Sequence, residues 1–309
     1  MIDRLINFGI DSGEAIQILR YTVDDVVTQA QYDARIEERA YMTSRVDELP
    51  KGIAQRTPEW YAAREGLITA SNFHKAAAKP EQYVREKLKD KPFLGSDATR
   101  WGVKYEDVAG LLYSYYNNTE VIEYGLLLHP TIAHLGASPD GITPYGVMVE
   151  IKCPYSKTLK DIPDEYAAQM LGQMACCELT ECDFVVCRVR ELSLSECGEA
   201  MATTADVARY GAVATKTDGS FVFSKPGDKF IDLVNFRDVN EGNGSGVTFH
   251  NIFDFTVTRV SKNGVAWEKM TSQLAHTWAT LKAAKEDKDI SKPDVATSDN
   301  NHTFSFKMF

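Results

Sequence analysis

The sequence predicts an α/β fold with a mixed central sheet flanked by helices. Two observations lead there: helical spacing over residues 99–117 followed at once by three strand-like runs, and a further helix and strand after those, giving the order α-β-β-β-α-β. A third concerns size. The 309 residues, 44% apolar and 25% charged, suffice for a sizeable core and exclude fibrous, collagenous and wholly disordered classes.

The first helix rests on Trp101, Tyr105, Val108, Leu111, Leu112 and Tyr115 and stops at Asn117-Asn118. The strand candidates are Val121–Leu128, Ile132–Ala137 and Val147–Lys152, the last after the turn Pro144-Tyr145-Gly146. A second helix is predicted from Pro163 to about Leu179, since proline suits a first helical turn, and Phe184–Val189 reads as a short buried strand. Phe253–Val260 alternates as a strand, and Val265–Lys285 as an amphipathic helix through Trp267, Met270, Leu274, Trp278 and Leu281.

Three domain-level segments follow. Residues 1–50 form an N-terminal helical extension, with apolar positions Ala15, Ile16, Ile18, Leu19, Val23, Val26 and Val27 in acidic sequence. Residues 51–286 form the main domain, with 191–250, rich in Gly, Ser and Thr, read as an insertion. Residues 287–309 form a polar tail, expected to be flexible. No apolar run reaches the ~18–20 residues of a membrane helix, and the start Met1-Ile2-Asp3-Arg4-Leu5 lacks a secretory pattern. The six cysteines include no CxxC pair. Small buried thiols fit them better than disulfides, zinc, or an iron–sulfur cluster on Cys182, Cys187 and Cys197. His74, His129 and His134 match no zinc spacing.

The formal net charge of −10 argues at face value against a polyanionic partner. Its distribution alters that reading. Residues 51–104 carry 11 Lys+Arg against 6 Asp+Glu, whereas 105–155 carry 6 acids and the single base Lys152. Lys75, Lys79, Arg85, Lys87, Lys89 and Lys91 of the basic block are candidate contacts to a phosphate backbone.

The acidic block holds the chemistry. Asp140, in Ser138-Pro139-Asp140-Gly141, ends a strand at a turn. Glu150 and Lys152, two apart on the next strand, share a face, while Ile151 points to the other. Two carboxylates and a backbone carbonyl are hard oxygen donors of the kind Mg²⁺ prefers, and a neighbouring lysine can hold or activate a water. Glu106 on the preceding helix offers a third carboxylate, and Gln169 on the following helix a hydrogen bond to phosphate or water.

With these residues in hand, the run Ser138-Pro139-Asp140-Gly141 … Glu150-Ile151-Lys152-Cys153-Pro154 resembles the bacteriophage lambda exonuclease / YqaJ-type viral recombinase family of the PD-(D/E)XK nuclease superfamily. Arg64-Glu65-Gly66-Leu67-Ile68-Thr69-Ala70-Ser71 resembles that family's opening Arg…Ile-Thr-Ala-Ser element. Trp101-Gly102 … Tyr105-Glu106 … Ala109 resembles its Trp-Gly…Tyr-Glu…Ala helix, and Tyr166-Ala167-Ala168-Gln169 continues the match. The resemblance covers 56–190 well and 253–285 weakly.

It implies a restriction-endonuclease-like (PD-(D/E)XK) core and a Mg²⁺-dependent 5′-to-3′ double-strand DNA exonuclease that leaves 3′ single strands for annealing-type recombination. By resemblance, Asp140, Glu150, Glu106 and the Ile151 carbonyl hold one or two Mg²⁺, with Mn²⁺ as substitute. Lys152 serves the water, and Arg64 and Ser71 bind a 5′-terminal phosphate. Implied partners are 5′-phosphorylated duplex ends, a single-strand annealing protein and further copies of the chain in a ring trimer. The implied setting is viral or prophage-encoded, in the bacterial cytoplasm or a eukaryotic host's nucleus or cytoplasm. Two other readings stay open: another PD-(D/E)XK nuclease, structure-specific or RNA-acting, and a non-catalytic DNA-end-binding accessory protein.

Overall fold

In this computed structural model residues 29–89, 95–156, 158–242 and 244–286 are described. The residues expected to make residues 1–28 helical, Lys91, and the tail 287–309 lie outside them. In chain order the elements are helices α1 (Gln29–Glu48) and α2 (Pro58–Glu65), strand β1 (Ile68–Thr69), a 3-10 turn at Ala70–Asn72, and helices α3 (Phe73–Ala78), α4 (Pro80–Lys87) and α5 (Asp97–Asn117). Strands β2 (Leu127–Leu128), β3 (Leu135–Ala137), β4 (Gly141–Ile142) and β5 (Val147–Lys152) follow. Then come α6 (Asp164–Cys177), β6 (Glu181–Leu192), α7 (Leu194–Met201), β7 (Tyr210–Thr215), β8 (Phe221–Phe223), α8 (Phe230–Asn240), β9 (Gly246–Ser261) and α9 (Gly264–Glu286).

The central sheet has the order β4-β5-β6-β9-β7-β8. Only β5 and β6 run parallel, joined by α6 as the crossover, and the other pairs are antiparallel. A small sheet, β1-β3-β2, lies beside it. Both faces of β5 and β6 are covered, which is why their sequences read as continuous apolar runs. On one face Met148, Phe184 and Val186 pack against Met170 and Met174 of α6. On the other, Val149, Ile151, Val185 and Cys187 pack against Tyr105, Leu112 and Tyr113 of α5.

Local chemistry sets the helix ends that matter for the site. The Thr57 side chain accepts from the Trp60 N–H and Pro58 opens α2; Ser96 caps α5, which ends at Asn118 in the left-handed conformation. Gly172 is required in α6, because a Cβ there would stand 2.2 Å from the Phe73 ring. That close approach sets the Ala70–Asn72 turn against α6.

The strand expected over Val121–Leu128 pairs regularly only at Leu127–Leu128, with single bridges at Ile122 and Leu126. Gly125, at φ +74°, interrupts it. Segment 191–250 supplies α7, β7, β8 and α8, and β7 extends the central sheet through β9. All six cysteines are free and all but Cys153 are fully buried. His129 and His134 stack on Trp267 and Trp278. Among the described residues no helix is long and apolar enough to cross a membrane.

Candidate active site

The C-terminal end of β5 gathers the predicted acidic residues. Glu150 is fully buried and points toward α6, where Gln169 Nε2 donates to Oε1 and Gln173 Nε2 to Oε2, each at 2.7 Å. Lys152 Nζ pairs with the same Glu150 Oε1 and stands 3.4 Å from Gln169 Oε1 and 4.8 Å from the centre of the Tyr166 ring. Asp140, on the turn before β4, accepts from the Ile151 backbone N–H at 2.6 Å, which locks the turn to β5. Ile151 itself faces the opposite core, as the two-residue strand period requires. Glu106, near the middle of α5, pairs with Arg56 at 2.7 Å.

The electrostatics follow from crowding acids where little water reaches. Burial raises the Asp140 carboxyl well above its ordinary range, and the charges of Glu150 and Glu106 push it further. Glu106 is raised by burial as well, against the opposing pull of Arg56. Burial disfavours the Lys152 ammonium, but Glu150 and Asp140 outweigh that and hold the lysine protonated.

As they stand, no three His, Cys, Asp or Glu side chains among the described residues form a ready cation cage. Glu106 is turned to Arg56, and Glu150 to Lys152 and two glutamines. The donor set nevertheless suits a hard divalent ion. Asp140, Glu150 and Glu106 lie close enough to feel one another's charge and that of the half-buried Lys152, and burial joined by this mutual repulsion raises the Asp140 and Glu106 carboxyls.

The predicted phosphate residues also meet. Arg64, in the last turn of α2, stands 3.3 Å from Ser71 Oγ and 3.4 Å from Thr69 Oγ1, its guanidinium 4.0 Å above the Trp60 ring. Ser71 lies in the 3-10 turn before α3 rather than at the first turn of a longer helix. Lys87 Nζ donates to the Arg64 carbonyl, and its pKa is lowered by burial and by nearby Lys285 and Arg64. The Tyr83 hydroxyl is buried without a partner. Arg64 and Lys87 thus form a cationic pocket edged with hydroxyls.

Sequence reasoning missed four contributors. Gln173, one helical turn after Gln169, shares its face and could have been found from that spacing. Arg56 holds Glu106. Gln55 Nε2 donates to the Pro139 carbonyl at 2.9 Å and so steadies the Asp140 turn. Trp60 Nε1 donates to Ser138 Oγ at 2.9 Å while its ring carries Arg64, so one side chain connects the acidic cluster to the cationic pocket.

Residues 59–183, which contain most of this geometry, match the YqaJ-like viral recombinase domain. An uncharacterized protein of Acanthamoeba polyphaga mimivirus is 31% identical over 175 residues, 48% of this chain, and the match spans about a third (32%) of that relative's length. Among solved structures, the alkaline exonuclease LHK-Exo from Laribacter hongkongensis aligns with TM-score 0.50 and 25% identity over 74% of this chain and 95% of its own. A second structure of LHK-Exo, in complex with dAMP, aligns equally well. The chain thus shares the PD-(D/E)XK fold of these structures, a mixed sheet flanked by helices.

Proposed function

We propose that the protein is a Mg²⁺-dependent 5′-to-3′ double-strand DNA exonuclease that produces 3′ single strands for annealing-type recombination. The observation that carries this reading is the convergence of Asp140, Glu150, Glu106 and Lys152 at the end of β5, beside a separate cationic pocket at Arg64. The likeness to an alkaline exonuclease supports it.

Asp140, Glu150, Glu106 and the Ile151 carbonyl would hold the ion. When bound, Mg²⁺ lowers the pKa of an attacking water and offsets charge on the phosphate and leaving oxygen. The chain's own groups do the rest. Lys152, kept protonated by its acidic neighbours, donates to the water or to a phosphate oxygen and orients it. Gln169 and Gln173 fix the Glu150 carboxylate so that its lone pairs keep one direction. Arg64 and Ser71 receive a terminal 5′-phosphate through charge-assisted hydrogen bonds, which makes a free end the starting point and gives the reaction its direction.

The experiment is digestion of linear duplex DNA, with and without a 5′-phosphate, in Mg²⁺ or in chelator. Mononucleotides released from the phosphorylated strand only with Mg²⁺ are the expected result. Cutting of closed circular DNA would instead make the protein an endonuclease, and end binding without product would make it an accessory protein.

A further inference from the structure

The sheet face that carries Glu150 and Lys152 does not end with them. In the parallel register Lys152 lies opposite Val186 of β6, and Arg188 and Arg190 follow on the same face. At ~3.3 Å per residue they stand roughly 7 and 13 Å farther along the strand. Beyond Val186, this face carries the half-buried Arg188 and the exposed Arg190 rather than the α6 packing of Phe184 and Val186.

A β-bulge adds to the arrangement. The β6–β9 register shifts between Arg188, opposite Asp254, and Val189, opposite Ile252, so Phe253 is the extra residue. Bulges re-aim side chains. Here Phe253 is turned onto the face of the two arginines: its ring centre is 4.7 Å from the Arg188 guanidinium and 5.4 Å from that of Arg190. Phe253 as a whole is 40% exposed, with the two guanidiniums lying over its ring. Arg190 is exposed too, and the nearest carboxylate to Arg188, that of Asp254, is 3.9 Å away, at the outer limit of an ion pair. Thr256, on the same face of β9, adds an exposed hydroxyl toward the active site.

We infer that Arg188, Phe253 and Arg190 form a binding platform for the single-stranded part of the DNA, continuous with the active-site face. This rests on the nuclease reading above. The chemistry suits that occupant. An exposed aromatic ring offers a stacking surface that accepts any base, and flanking guanidiniums meet the phosphates on either side. A duplex would present no free base face to Phe253, whereas an unpaired strand does. Two guanidiniums on one face can also meet successive phosphates, with Asp254 beside Arg188 and Glu196 near Arg190 as the local acids.

The test is fluorescence anisotropy of a labelled oligothymidylate with the full-length protein in chelator, where cleavage cannot interfere, as a function of salt. Arg188→Ala/Arg190→Ala should weaken binding at least about tenfold and reduce the slope of log K against log[salt] by about 1.4, the loss of two phosphate contacts on a single strand. Phe253→Ala should weaken binding about tenfold with the slope unchanged, since stacking releases no counterions. Arg188→Lys/Arg190→Lys should restore the slope. Circular dichroism confirms that each variant folds. An unchanged affinity and slope in Arg188→Ala/Arg190→Ala overturns the platform, and so does a wild-type protein that does not bind the oligonucleotide. Failure of the nuclease reading looks different: the wild type would bind through these residues yet digest no linear duplex in Mg²⁺.

Discussion

Two groups of buried charge lie on opposite faces of the β5–β6 pair, and they differ in balance. On the α5 face, Glu181 and Asp183 meet two arginines. Arg39 of α1 pairs with Glu181, and Arg259 pairs with Asp183 at 2.6 Å and with Glu181 at 3.4 Å. The Tyr113 hydroxyl completes the set by donating to Asp183. On the α6 face Glu150 pairs with the half-buried Lys152, and at the end of β5 Asp140 and the α5 residue Glu106 add two more acids, with Arg56 paired to Glu106. The first group cancels its own charge and needs nothing more. The second does not, and that excess adds to burial in raising the carboxyls of Asp140 and Glu106. Acids buried with matching cations are satisfied within the fold, and removing a partner is what costs; acids buried in excess are candidates to bind a cation.

The largest expected effect comes from removing charge from the unbalanced group. Asp140→Asn should lower the rate of DNA digestion by at least about 10³-fold, while its melting temperature in chelator stays level or rises because a repulsion is relieved. A drop of many degrees would erase the distinction between the groups. The balanced group should respond the other way. Arg259→Met strands Asp183 and part of Glu181, and breaking such a buried pair costs ~3–5 kcal/mol, roughly 10 °C in thermal melts, with little change in the activity of the folded fraction.

Metal addition sharpens the contrast. At about 100 times its dissociation constant Mg²⁺ should add ~2.7 kcal/mol to the stability of the wild type and Arg259→Met, and much less to Asp140→Asn. Without metal, pH should act through the same acids. A carboxyl raised in the folded state stabilises it below the ordinary carboxylate value of about 4, and that contribution is lost as pH rises through the raised value. The melting temperature in chelator should therefore fall as pH rises above about 4, and Asp140→Asn should flatten the fall.

How much of this was legible in sequence depended on whether a residue's surroundings were local. Val147–Lys152 is observed as read, because its turn and its alternation of Glu150, Ile151 and Lys152 lie within a few residues. Val121–Leu128 was overread, because strand-like composition does not reveal the left-handed Gly125 that interrupts pairing. In 191–250 the Gly, Ser and Thr content gives no sign that β7 pairs with the first half of β9, about thirty to forty residues away. The site divides likewise. Asp140, Glu150 and Lys152 sit in one stretch, and Arg64 and Ser71 in another. Arg56, Gln173 and the Trp60 connection arise only when α2, α5 and α6 are packed around β5.

The smallest effect concerns the cationic pocket at Arg64, proposed to receive the 5′-phosphate. If the cationic pocket and the acidic cluster are separate devices joined through Trp60, Arg64→Ala should remove the preference for a 5′-phosphate, about tenfold in digestion rate, and leave Mg²⁺-dependent cleavage of non-phosphorylated ends nearly intact. Arg64→Lys keeps the charge but not the planar stack on Trp60 or the fork toward Ser71 and Thr69, so it should recover only part of the preference. Competing digestion of phosphorylated and non-phosphorylated duplexes in one tube measures the ratio directly. Equal loss on both ends would mean that Arg64 acts through Trp60 and Ser138 on the Asp140 turn, and the pocket would then be a support of the acidic cluster rather than a site of its own.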